Sequence, residues 1–248
     1  MSEEKVEKIT PYDGEEAKTG QVRRMFDSIA PAYDTMNRLM TLGIDRRWRR
    51  KTVAEAVSGN PEAILDIATG TGDLAIALAR AAEGATVTGV DLSEGMIEVG
   101  RRKVAEAGLS DRVKLSPADA LALPFADNSF DVITVAFGVR NFEHLAEGYA
   151  EMLRVLRPGG RLCVLELTPP SSVLVRPFYA AYTRAVIPLV GKLISGDSDA
   201  YTYLPRSIAA VPARGAMTAL IEGAGFENAA FRSFTFGVCT LYMTRKGN

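Results

Sequence analysis

Asp66, Gly70, Thr71, Gly72 and Asp91 have the residue types and the spacing of a loop that holds a nucleoside. Residues 64–67 are apolar around Asp66, the chain breaks into Gly70-Thr71-Gly72, and from Asp73 it turns amphipathic. Asp91 follows roughly twenty residues on, at the end of a second apolar run. In a βαβ unit of this kind, glycines let backbone N–H groups approach the ligand, and the second acid accepts hydrogen bonds from the ribose hydroxyls.

The glycine loop alone leaves the ligand open, because Gly70-x-Gly72-x-x-Ala75 also satisfies the dinucleotide pattern. Three features favour S-adenosylmethionine over NAD: the acid Asp66 inside the first strand, a further polar site at Asp119-Ala120, and the run from Leu123 to Asp131 that leads into a fourth strand. A sulfonium ligand is cationic at its centre and carries no pyrophosphate. Acids near the loop therefore suit it, where they would repel a dinucleotide's phosphates. Leu92, next to Asp91, belongs to the same expected pocket.

Stepping outward from these residues, 248 residues with 47% hydrophobic content suffice for one α/β domain. A net charge of −1 gives no general attraction to nucleic acid. Cys163 and Cys239 lie in strand-like runs without CxxC spacing and read as buried small hydrophobes, so neither a disulfide nor a metal site is expected. The first 18 residues are charged rather than apolar, which predicts a flexible lead-in, no secretory signal and a cytoplasmic protein. The long apolar region 173–194 is interrupted by Arg176, Pro177, Arg184, Pro188 and Lys192, so it does not read as a membrane span, although it could touch lipid.

Val22, Met25, Phe26 and Ile29 form the stripe of an amphipathic helix that stops before Pro31, and helices are expected over 33–40 and 45–57. These make a helical extension over 19–58. In the core, 59–168, strands near 63–67, 86–90, 112–115, 131–136 and 161–167 alternate with helices near 73–82, 93–107 and 143–156. That alternation predicts parallel crossovers and a doubly wound α/β sheet. Leu145, Tyr149, Met152 and Leu156 give the last helix its buried face, and Arg157-Pro158-Gly159-Gly160 reads as a stop and turn. A helical insertion over 169–223 precedes two closing strands, 227–235 and 238–245, joined around Gly237 as an antiparallel hairpin within 224–248.

The segments Met25-Phe26-Asp27-Ser28-Ile29-Ala30-Pro31-Ala32-Tyr33-Asp34, Gly70-Thr71-Gly72-Asp73, Phe137-Gly138-Val139-Arg140-Asn141, Arg154-Val155-Leu156-Arg157-Pro158-Gly159-Gly160 and Tyr201-Thr202-Tyr203-Leu204-Pro205 occur in that order. The set resembles the ubiquinone/menaquinone biosynthesis C-methyltransferases from about Lys18 to the C-terminus. The resemblance implies a mostly parallel seven-stranded sheet of the class I S-adenosylmethionine-dependent methyltransferase type. It also implies methyl transfer to a ring carbon of a polyprenylated quinol. Phe137–Phe142 and the stretch 236–242 look closer to the menaquinone branch, whose substrate is demethylmenaquinol, than to the ubiquinone branch with its methoxy-benzoquinol. Family binding positions carry over to Thr71, Asp91, Asp119 and Ala120. Ala136 stands where a serine is frequent, which leaves a backbone contact there, and Thr69 replaces a glycine and must fit without glycine's freedom at positive φ.

Methylating carbon requires a ring hydroxyl to lose its proton, so the enzyme must align the ring and stabilise an oxyanion. Arg140, always charged and rich in fixed donors, suits the second task, with Asn141 positioning the same oxygen; the alternative is a structural ion pair with a nearby acid. Tyr33, Asp34 and Asn37 are expected to close over the quinol and help remove its proton, the alternative for Asp34 being a helix cap. Phe137, Tyr201 and Tyr203 are expected to line the quinol pocket, and Phe178, Tyr179, Tyr182, Val186, Ile187 and Leu189 a groove for its tail, with core packing as the alternative. His144 reads as a surface histidine. In the basic run 46–51, Trp48 among cations suggests transient contact with anionic headgroups, against a solvated helix face. A homo-oligomer, an NAD-binding oxidoreductase and a non-catalytic scaffold in quinone synthesis all remain open on the sequence.

Overall fold

The central strands form because the runs that build them are apolar on both faces, as a sheet covered by helices on each side requires. The computed structural model describes residues 4–183 and 198–248, the side chains at 198, 199 and 201 excepted. Its seven strands are β1 (Ala63–Ile67), β2 (Thr86–Asp91), β3 (Val113–Pro117), β4 (Phe130–Ala136), β5 (Leu156–Leu167), β6 (Glu227–Phe234) and β7 (Cys239–Arg245), in the spatial order β3-β2-β1-β4-β5-β7-β6. The first five strands run parallel, and β7 inserts antiparallel between β5 and β6. Strand order reverses between β1 and β4, so the crevice beyond their carboxyl ends is where such a sheet binds ligands.

Alternate residues of each strand face opposite layers. Leu65, Ile67, Ile133, Val135 and Val164 pack on one side with Leu145, Tyr149 and Met152 of α6 (Leu145–Val155). Ile64, Val87, Val132, Cys163 and Leu165 pack on the other with α4 (Asp73–Ala81) and α5 (Glu94–Glu106). Leu156, assigned from its sequence to the helix, instead opens β5. The turn expected at Arg157–Gly160 is a bulge within β5. Leu156 pairs with Phe130 and Arg161 with Val132, so the proline and glycines are looped out of the ladder without ending it.

A third cluster joins the N-terminal helices to the sheet's carboxyl edge. Met25 and Ile29 of α1 (Lys18–Ile29) and Met36 of α2 (Tyr33–Thr41) pack with Met96 and Tyr203. The third helix, α3 (Asp45–Ala56), lies against α4 and β5. The insertion contains α7 (Arg176–Ala181), α8 (Ser198–Ala210) and α9 (Gly215–Gly223); Val186, Ile187 and Leu189 lie outside the described residues.

The charged lead-in is not free throughout. Val6 is fully buried, the Leu145 N–H at the start of α6 donates to the Glu7 carboxylate at 2.7 Å, and Lys18 Nζ donates to the carbonyls of Val6 (2.7 Å) and Arg140 (3.1 Å). Burial draws the Lys18 ammonium down to about 8. Val6, Glu7 and Lys18 thus fasten this segment to the turn that carries Arg140 and to the start of α6.

Met152 is buried with no accessible surface between α6 and the sheet. Met152→Ala should destabilise the fold by about 2–5 kcal/mol through lost transfer energy and a residual cavity, read as a lower urea midpoint at unchanged slope. A loss under about 1 kcal/mol would mean that this layer is not packed as described.

Candidate active site

At the crevice, the turn after β1 puts its left-handed residues at Ala68 (φ 52°), Gly70 (φ 56°) and Gly72 (φ 78°), so Thr69 escapes the strain anticipated for it. The Gly70 N–H donates to Asp91 Oδ2 at 2.8 Å, and the Ser93 N–H donates to Asp91 Oδ1 at 3.0 Å. Burial raises the Asp91 carboxyl against the opposing pull of these N–H groups. A chamber lined by Gly70, Asp91, Leu92, Asp119, Ala120, Ala136, Phe137 and Asn141 opens beside them. Leu121 N–H fixes the Asp119 carboxylate at 2.9 Å. Two carboxylates at one end, small side chains and an open glycine loop fit an adenosyl group and a cationic sulfonium.

Four of the expected site residues lie outside this chamber. Asp66 is fully buried beneath the loop, accepting from Thr69 Oγ1 and Thr134 Oγ1 at 2.6 Å each, and does not line the chamber. Burial pushes its carboxyl up to about 6. Gly72 is outside the chamber too, and serves as the left-handed N-cap of α4. The Thr71 hydroxyl turns to the N-terminal extension, donating to Asp34 Oδ1 at 2.6 Å and accepting from Lys103 Nζ at 3.0 Å. Asp34 is held by Lys103 at 2.5 Å, and Lys103 also holds Asp73 at 2.5 Å. A carboxylate so engaged is not poised to take a quinol proton, and it is not a helix cap. It clips α2 onto the glycine loop, an arrangement that neither Lys103 nor Asp73 betrays in the sequence.

A second cavity of about 280 Å³ lies beyond Tyr33 and Phe137, which border both spaces. Asn37, Met40, Ile44, Trp48, Arg140, Tyr179 and Tyr182 contribute to its mostly apolar wall. Phe137 has a left-handed backbone (φ 61°), and its ring is flanked edge-on by Trp48 and at 5.7 Å by the Arg49 guanidinium. Trp48 is buried and donates to Thr235 Oγ1 at 3.0 Å, so it is a wall residue and does not reach headgroups. Met40 and Ile44 also wall this cavity and carry no sequence signal of it, because a cavity wall and a helix core show the same apolar residues.

Arg140 follows β4 in a short 3-10 turn, Val139–Asn141. Its Nη1 donates to Glu166 Oε1 at 2.8 Å and to the Phe137 carbonyl, and its N–H donates to Glu166 Oε2 at 3.2 Å. Burial works against the cation, but fully buried Glu166 together with Tyr33 and Tyr203 offsets it, so Arg140 is held above its ordinary value. The ion pair anticipated as the alternative therefore exists. It coexists with a place in the cavity wall, and Arg140 Nε is buried without a hydrogen-bond partner. Asn141 reaches the cofactor chamber, and Tyr203 OH donates to its Oδ1 at 3.1 Å. Tyr203 thus braces Asn141 and does not border the larger cavity; the Tyr201 side chain lies outside the described residues. His144 is exposed, as expected, and among the described residues no acid, His or Cys cluster could hold a metal.

The sheet and its crevice define an S-adenosylmethionine-dependent methyltransferase fold. A solved S-adenosylmethionine-dependent methyltransferase from Aquifex aeolicus superposes with a TM-score of 0.57 at 20% identity, covering 79% of this chain and 88% of that one. The chain belongs to the ubiE/COQ5 methyltransferase family, which matches residues 14–246. It is 48% identical over 240 residues to demethylmenaquinone methyltransferase of Bacteroides fragilis, covering 97% of this chain and 98% of that protein. It is 44% identical over 241 residues to the ubiquinone/menaquinone biosynthesis C-methyltransferase of Geobacter sulfurreducens, covering 97% and 93%.

Two measurements test the cofactor end. Asp91→Ala should weaken S-adenosylmethionine binding by about tenfold or more in a calorimetric titration of folded protein, since charge-assisted bonds contribute about 1.5–3 kcal/mol each. Unchanged affinity would remove Asp91 from the site. Asp66 binds its proton more tightly folded than unfolded, so its contribution to stability is complete below its ordinary value of 3.8 and is lost as pH rises through about 6. Asp66→Asn should therefore gain on the parent by an amount on the order of 2–3 kcal/mol between pH 4 and 7 in chemical denaturation. A pH-independent difference would contradict the raised carboxyl.

Proposed function

We propose that this protein transfers a methyl group from S-adenosylmethionine to a ring carbon of a polyprenylated quinol, with demethylmenaquinol as the substrate. The observation that carries the reading is the pair of adjoining chambers, one bearing the Asp91 and Asp119 carboxylates, the other more strongly apolar, separated by Tyr33 and Phe137 with Arg140 on the apolar side. The names carried by relatives of the same family and nearly the same length support the naphthoquinol branch.

S-adenosylmethionine, when bound, supplies a methyl group on a positively charged sulfur, open to attack by carbon. The residues of this chain do the rest. Asp91 and the Gly70 loop hold the ribose end, while Phe137 and Tyr33 orient the ring across the boundary between chambers. Arg140 faces the ring hydroxyl. Loss of that hydroxyl's proton to water would raise electron density at the adjacent ring carbon, which would take the methyl group, and Arg140 would stabilise the oxyanion until the methylated carbon gives its own proton to water. Arg140 reaches the wall of the apolar chamber, where its positive charge meets the developing oxyanion, and the Glu166 pair keeps the guanidinium from turning away. Asn141, with its carbonyl taken by Tyr203 and its Nδ2 donating to the Phe137 carbonyl at 3.5 Å, is left with one amide N–H to present. The protein works at the membrane surface on a lipid-soluble substrate; no helix among the described residues is long and apolar enough to cross a bilayer.

Arg140→Ala would strand Glu166 as an unpaired buried charge, at a cost of about 3–5 kcal/mol, so Arg140→Lys is the cleaner probe. It keeps a cation for Glu166 but loses the planar fork. It should lower kcat by about a hundredfold or more with S-adenosylmethionine affinity and Tm nearly intact. A lysine variant with ordinary turnover would reduce Arg140 to an ion-pair partner. For the reaction itself, cells lacking the gene should accumulate a quinone one methyl group short, identified by mass spectrometry; unchanged quinones would refute the proposal.

A further inference from the structure

Leu42 and Phe236 are the wrong residues for where they stand, if stability were all that mattered. Leu42 ends α2 in the left-handed region (φ 50°) and is 86% exposed. Phe236, in the turn between β6 and β7, is also left-handed (φ 56°) and 69% exposed. Glycine or asparagine suits such positions, and a polar side chain suits such exposure. Val173, Leu174 and Phe178, before and within α7, are exposed as well.

These apolar tips lie on three segments that also wall the larger cavity. Met40 follows the half-exposed Leu39, Tyr179 follows Phe178, and Thr235 and Val238 flank Phe236. The segments are joined to one another: Tyr182 OH donates to the Met40 carbonyl at 2.9 Å, and the Ser171 N–H donates to the Phe236 carbonyl at 2.9 Å. Among the described residues, the large exposed hydrophobics other than Phe231 of β6 therefore fall on the segments that wall one cavity. Charge is segregated there too. Over 38–51, 171–183 and 231–238, the exposed charged residues are Arg38, Arg46, Arg47, Arg50, Lys51, Arg176 and Arg232, and the one acid, Asp45, is buried and paired with Arg49. The whole chain carries a net charge of −1, so this rim is basic against the average.

We propose that this rim seats on an anionic lipid surface, its apolar tips entering the boundary of the hydrocarbon and its arginines meeting lipid phosphates, so that the cavity opens directly into the bilayer. A second copy of the chain is a poorer occupant, because a two-fold contact would set the two basic rims against each other. The inference rests on the reading of the cavity as a quinol site, and it moves the lipid contact from Trp48 to the turn tips.

The test is flotation of the full-length protein with vesicles of phosphatidylcholine alone or mixed with phosphatidylglycerol, at low and high salt. The parent should bind the anionic vesicles more, and salt should weaken that excess. Phe236→Asn combined with Leu174→Asn, neither of them a cavity-wall residue, should lower the partition coefficient by about tenfold, leave Tm unchanged or raised, and spare turnover of a short-chain, water-soluble quinol. A loss under about threefold, no preference for anionic vesicles, or a parent dimer in sedimentation that these substitutions dissociate would each overturn the proposal. Failure of the parent to methylate the soluble quinol would instead count against the quinol reading, whatever the vesicles show.

Discussion

The buried pair of Arg140 and Glu166 is the constraint around which the site is arranged. Two ions without water are costly, and removing either partner leaves a charge that nothing nearby can solvate. The pair persists because its geometry is well satisfied. Glu166 takes the guanidinium, the Arg140 N–H and the Leu167 N–H, and the guanidinium also reaches the Phe137 carbonyl. Glu166 sits in β5 and Arg140 just beyond β4, so the pair sutures the carboxyl ends of neighbouring strands where the ligand crevice opens. It fixes the turn 137–141, and with it Phe137 between the chambers and Asn141 on the cofactor side.

The cap over the cofactor chamber depends on a second set of charges. Asp34 and Asp73 share Lys103, Asp73 also takes Arg49 at 2.8 Å, and on α1 the Asp27 carboxylate accepts from Ser93 Oγ at 2.6 Å and the Gly95 N–H at 3.1 Å. These bonds tie the N-terminal helices to the start of α4 and to both ends of α5. They are partly exposed and individually modest, as suits a cover that must admit a ligand.

The core was legible in the sequence because its signals are local. Strands over 63–67, 86–90 and 131–136 appear within a residue or two of expectation, since a doubly covered strand is an unbroken apolar run, and the order of helices and strands then leaves few topologies. Asp91 is read from its distance to the glycine loop, a spacing set by the βαβ unit itself, Asp119 as a further polar site, and Ala136 only from the family resemblance; all three line the chamber. What escaped were contacts between distant segments. Asp66 and Thr71 lie in the right motif, yet their side chains face Thr134 and Asp34, and no spacing rule says which way a side chain in a turn points. Glu166 was foreseen only as some nearby acid. Trp48 misled because an indole among arginines reads as a surface feature, whereas its ring turns inward and only the arginines next to it stay in solvent.

The central claim is that two chambers meet at Phe137 and Tyr33, the cofactor on the Asp91 side and the quinol ring on the Arg140 side. A crystal structure with S-adenosylhomocysteine and a short-chain demethylated naphthoquinol tests it most directly. The account predicts ribose density on Asp91 and the ring against Phe137, with a ring oxygen within hydrogen-bond reach of Arg140. A ring bound away from Arg140, or a cofactor outside the Gly70–Asp91 crevice, would contradict it.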